Sequence, residues 1–146
     1  YQAIKQINRR AKVGILKNIY QVHPFTRFNI VSNIGCRITD MLTNQCIFDF
    51  FTTGTFNIYL PLRAQVYHTN DAAPHSIDFI GLNYYSNGFM DGFSLKPQTL
   101  NPTANPTYRI YPEGLYAAIK EITDRMITPM KQVCAKTIPL YVTENG

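Results

Sequence analysis

Tryptophan is absent from the 146 residues, so an aromatic surface or pocket in this chain must be built from its ten tyrosines and nine phenylalanines. Charged residues are also sparse, at 16%. Cysteine occurs three times, as Cys36, Cys46 and Cys134, with no C-x-x-C pair and an odd count. That excludes a disulfide-stapled secreted scaffold and points to a reducing, cytoplasmic compartment. There is no N-x-S/T glycosylation acceptor, and no apolar run approaches the roughly 20 residues that span a bilayer. G-x-G-x-x-G, Walker A and G-x-S-x-G patterns are all missing, which removes the usual dinucleotide, phosphate and serine-hydrolase signatures. His23, His68 and His75 fall in expected loops without metal-ligand spacing, so neither a metal nor a cofactor is expected.

The net charge of +5 has a local source, with Lys5, Arg9, Arg10, Lys12 and Lys17 close together near the start. Nucleic-acid binding would need a recognisable module around such a patch. None is present, and a solvated helix end accounts for the charges. The opening Tyr1-Gln-Ala-Ile-Lys-Gln-Ile7 carries neither an initiator Met nor a signal-peptide pattern, and reads as the interior of a longer polypeptide.

Alternation of element types is the main positive signal. Residues 1–10 have Ile4 and Ile7 at helical spacing, and Val13–Tyr20 is a β-branched apolar run closed by His23-Pro24. Residues 36–51 carry Ile38, Met41, Leu42, Cys46, Ile47, Phe50 and Phe51 in a helical pattern that ends at Thr52-Thr-Gly-Thr55. After a polar connection over 67–76, Ile77–Tyr85 is nearly continuously apolar, as a strand covered on both faces must be. Residues 86–112 are expected to be loop. Pro112-Glu113 then opens a helix whose Leu115, Ile119, Ile122 and Met126 share one face. The last strand is Ile138–Thr143. Helix, strand, helix, strand, helix, strand implies right-handed crossovers and about three parallel strands in a single α/β unit.

Parallel α/β enzymes place their chemistry at the carboxyl ends of strands. Glu144 stands at that end of the last strand, where a carboxylate can act as base, acid or nucleophile, though an acid there can equally cap a helix or sit in solvent. Asn83 and Tyr85 occupy the corresponding end of the preceding strand, on one face, with Tyr84 on the other. A phenol can steady a carboxylate and an amide can bind a hydroxyl-rich ligand, or the two tyrosines can simply pack beneath a loop.

Ser76-Ile-Asp-Phe-Ile-Gly-Leu-Asn-Tyr-Tyr-Ser86, Tyr111-Pro-Glu-Gly-Leu-Tyr116 and Pro139-Leu-Tyr-Val-Thr-Glu-Asn-Gly146 together resemble the family 1 glycoside hydrolases, of β-glucosidase and 6-phospho-β-glucosidase type. They resemble, in order, that family's sixth barrel strand, the opening of the helix after it, and the seventh strand with its T-E-N-G motif. Ala11–Ile15 is weakly similar to the fifth strand, while residues 25–65 match loosely. The resemblance implies a partial (β/α)₈ TIM barrel and retaining hydrolysis of a β-glycoside. It makes Glu144 the nucleophile, Tyr85 the phenol that orients it and Asn83 a substrate-binding residue.

The general acid of that family lies in T-F-N-E-P on the fourth strand, and no N-E-P occurs here. Retaining hydrolysis needs two carboxyl groups, so the remainder of the barrel is an expected partner and the isolated segment is expected to be inactive. A catalytically inactive truncated remnant and an α/β sugar-binding module are the alternatives.

Overall fold

The computed structural model describes residues 1–60, 63–96 and 111–145. Its centre is a three-stranded parallel sheet, in the order β1-β5-β8, built from β1 (Gly14–Asn18), β5 (Phe79–Tyr84) and β8 (Leu140–Asn145). These are the three strands expected from the alternating pattern. Each pair is joined through helices, as a parallel connection requires. The architecture is that of a partial (β/α)₈ barrel. No closed barrel is formed by the described residues.

The two helical connections are longer than the sequence pattern suggested. The first runs as α2 (Ile30–Asp40), a π-helical stretch Met41–Gln45 and α3 (Cys46–Thr53). It starts earlier than residue 36 because Asn29 caps it, accepting from the Ser32 amide at 3.1 Å. Gly54, at φ 80°, ends it in the left-handed conformation. The second runs as α4 (Pro112–Ile122), another π-helical stretch Thr123–Ile127 and α5 (Thr128–Cys134). Pro112 and Glu113 do open it. Ile122 and Met126 are fully buried, with Leu115 and Ile119 packed against the same core. Hydroxyls back-bond to carbonyls one turn earlier around both π stretches, Thr43 to Thr39 and Thr123 to Ile119, each at 2.8 Å.

Alternation along β5 decides which face is core. Ile80, Leu82 and Tyr84 point into the helical layer, against Phe48, Ile122 and Met126. Each such side chain contributes roughly 1.5–3 kcal/mol by leaving water. On the opposite sheet face, Leu16 is 65% exposed and Tyr141 54%. In a closed barrel that face is interior.

Several expectations need correction. Residues 86–112 are not all loop: β6 (Asn87–Asp91) and β7 (Ser94–Lys96) form an antiparallel hairpin, and β6 also pairs in parallel with β2 (Gln21–Pro24). Glycines at 88 and 92 and the absence of a continuous apolar run hid these strands. The remaining part of that expected loop, residues 97–110, lies outside the described residues. His23 therefore sits in a strand, and so does His68, in the β3 (Thr55–Leu60) and β4 (Ala64–Thr69) hairpin. His75 ends a short 3₁₀ turn. The first helix, α1 (Gln2–Ile7), buries nothing, and Ile7 is 90% exposed. No helix among the described residues is long and apolar enough to cross a membrane. All three cysteines are free thiols.

Candidate active site

Parallel register brings the carboxyl ends of β5 and β8 together. From Ile80↔Leu140 to Leu82↔Val142 the pairing is regular, and it then jumps to Asn83↔Glu144. Thr143 is the extra residue, looped out as a β-bulge. Because side chains alternate with period two, this one-residue slip decides where Glu144 points. Regular pairing would set it opposite Tyr84, whose side chain is buried among the helices. The bulge sets it opposite Asn83 instead, on the face shared with Tyr85.

The contacts follow from that placement. The Tyr85 hydroxyl donates a hydrogen bond to Glu144 Oε2. Thr143 Oγ1 lies 2.6 Å from Asn83 Oδ1 and 3.2 Å from the Leu82 carbonyl oxygen. The structure thus joins all three residues singled out in the sequence, Glu144, Tyr85 and Asn83, and adds Thr143 to them. In the sequence Thr143 stands out only as the end of the last apolar run and the first residue of T-E-N-G, since a bulge has no signature in apolar periodicity.

Three other acidic groups, Asp78, Asp40 and Glu121, are committed elsewhere. Asp78 lies at the amino end of β5, bound to Lys5 Nζ at 2.7 Å and Lys136 Nζ at 2.6 Å. Burial would raise its pKa, but hydrogen bonds from Lys136, Lys5 and the Val13 amide outweigh that and hold it well below the usual carboxylate range. Asp40 and Glu121 lie between the two helical connections, where Arg125 grips both. Burial pushes Glu121 up, against the pull of that guanidinium. Lys17 reaches the edge of the same group from β1, donating to Asn44 Oδ1 at 2.8 Å, and burial lowers its pKa. Both π stretches feed this network, one with Asn44 and Gln45, the other with Arg125. It ties helices together behind the sheet, away from Glu144.

No group of three or more His, Cys, Asp or Glu among the described residues could hold a metal ion. The arrangement at the strand ends is a carboxylate held by a phenol, beside an amide held by a hydroxyl. Such a group can stabilise or attack an electron-poor carbon.

Parallel strands with helical crossovers, and polar side chains gathered at their carboxyl ends, define a segment of a (β/α)₈ barrel. No family model matches the chain. Among solved structures it is similar to the β-glucosidase of Thermotoga maritima determined in complex with glucoimidazole, at 23% identity and a TM-score of 0.70. That match covers 99% of this chain and 33% of the other. A β-glucosidase from Exiguobacterium marinum matches at 18% identity and a TM-score of 0.67, over 99% of this chain and 35% of that one. The AHE enzyme from Alicyclobacillus herbarius matches at 21% identity and a TM-score of 0.65, with 99% and 34% covered. The chain therefore spans about a third of the length of the structures whose fold it shares.

Proposed function

We propose that this chain is part of a retaining β-glycosidase, with Glu144 as the nucleophile, Tyr85 as the phenol that orients it and Asn83 as a sugar-binding amide. The Tyr85–Glu144 hydrogen bond at adjoining strand ends carries the reading. Glu144 would attack the anomeric carbon as a general acid elsewhere in the barrel protonates the departing glycosidic oxygen. Water then cleaves the glycosyl ester, and the same acid, now a base, takes the proton. Complexes of the Thermotoga enzyme with glucoimidazole and castanospermine support a sugar-like ligand for this chain's site. The free thiols support a reducing, cytoplasmic setting.

Retention asks for two carboxyl groups about 5–5.5 Å apart. Asp78, Asp40 and Glu121 are tied up at the far end of the sheet or behind it, and no N-E-P motif occurs in the chain, so the partner carboxyl is expected from the rest of the barrel. Residues 1–146 alone should not hydrolyse an aryl β-glucoside; turnover that disappears in Glu144→Gln would sink that expectation. In the complete barrel, a 2-deoxy-2-fluoro β-glycoside should leave a stable adduct on the peptide containing Glu144. An adduct on any other carboxylate would overturn the assignment.

A further inference from the structure

We infer that Thr143 is a positioning residue whose hydroxyl fixes the side-chain amide of Asn83 beside Glu144. Three observations converge on its hydroxyl. As the bulged residue it is what places Glu144 opposite Asn83. Its side chain lies over Gly81: a Cβ there would meet Leu16 Cδ2 and stand 3.1 Å from both Thr143 Oγ1 and Cγ2, so the absence of a side chain at Gly81 makes room for both neighbours. From there Oγ1 reaches Asn83 Oδ1 at 2.6 Å and the Leu82 carbonyl at 3.2 Å.

A hydroxyl has one proton, and both neighbours here are acceptors. The proton goes to the shorter contact, Asn83 Oδ1. With its oxygen edge satisfied, the amide turns its two N–H donors away from Thr143, toward the mouth of the sheet where an oxygen-rich ligand and the Glu144 carboxylate meet. One residue thereby sets both the direction of the carboxylate and the polarity that the amide offers. Valine at this position would keep the branched shape and lose the proton.

The consequence for turnover rests on the glycosidase reading, whereas the fixing of the amide does not, and the two are tested separately. In the 146-residue chain, the Asn83 side-chain amide should give a single, well-dispersed pair of NMR resonances that moves in Thr143→Val and is restored in Thr143→Ser. In the complete barrel, Thr143→Val should lower kcat about 10- to 100-fold with little change in KM. Thr143→Ser should recover most of the loss, and Thr143→Val should add nothing on an Asn83→Ala background. An amide pair unchanged in Thr143→Val overturns the inference. So do losses that add to those of Asn83→Ala, or a serine variant as impaired as the valine. If the amide responds as expected but the barrel neither turns over nor labels at Glu144, the glycosidase reading fails and the positioning role stands.

Discussion

Asn83 and Glu144 are register partners across β5 and β8, and they are so only because Thr143 is looped out between them and the regular pairs below. Glu144 thereby meets the Tyr85 hydroxyl instead of the helical layer that buries Tyr84. The geometry of the candidate site is thus a property of one irregularity in one strand.

Removing the Tyr85 donor tests the most direct consequence. A hydrogen bond to a charged group is worth about 1.5–3 kcal/mol. Tyr85→Phe should therefore lower kcat/KM in the complete barrel by roughly 10- to 150-fold, without unfolding a residue that is only half-buried. Steady-state kinetics beside a thermal melt separate the two effects. Full activity in Tyr85→Phe would mean that the phenol does not hold the nucleophile.

At the opposite end of β5, Asp78 should govern acid stability. Its pKa is depressed, so the stabilisation it provides is complete above the unfolded carboxylate value of about 3.9. It is lost as pH falls from there toward the folded value. Asp78→Asn should cost about 1–3 kcal/mol at neutral pH and flatten the loss of stability below about pH 4. Denaturant titrations at several pH values measure both, and an unchanged acid slope in the variant would contradict the assignment.

Much of this fold could be read from the sequence. Apolar runs at Ile77–Tyr85 and Ile138–Thr143, and the face of Leu115, Ile119, Ile122 and Met126, mark elements whose burial is dictated by periodicity. Asn83, Tyr85 and Glu144 could be grouped because strand ends in a parallel sheet converge. The bulge at Thr143 and the π stretches depend on how neighbouring elements fit, which no single segment encodes. The short strands Gln21–Pro24 and Ser94–Lys96 exist because β6 offers edges to both, so their own composition carries little trace of them.

Arg125 and Glu121 should behave unequally when replaced. Arg125 donates to Asp40 Oδ1 at 3.0 Å and Oδ2 at 2.9 Å, bonds Glu121 at 2.6 Å, and lies 4.9 Å from the centre of the Phe48 ring. Arg125→Met removes the cation bonded to both acids and should cost about 1–3 kcal/mol, a value reduced by the partial exposure of the group. Glu121→Gln should cost less, because burial already works against its charge. Equal losses in paired urea titrations would argue that the network acts through packing alone.

Tyr84 and Gly114 make a lock between β5 and the start of α4. The Tyr84 hydroxyl donates to the Tyr111 carbonyl at 3.0 Å, and a Cβ on Gly114 would overlap that hydroxyl. Alanine normally favours a helix by about 1 kcal/mol over glycine, yet Gly114→Ala should destabilise, because overpacking costs about 1–3 kcal/mol. Tyr84→Phe should lose about 1 kcal/mol at neutral pH and partly relieve Gly114→Ala in the double variant. Burial pushes the Tyr84 phenol up to about 12. A raised pKa means its contribution is complete below the unfolded value of about 10 and disappears as pH climbs toward the folded one. Alkaline unfolding over that interval should therefore be blunted in Tyr84→Phe. An identical alkaline transition in the two proteins would show that this hydroxyl does not hold the junction.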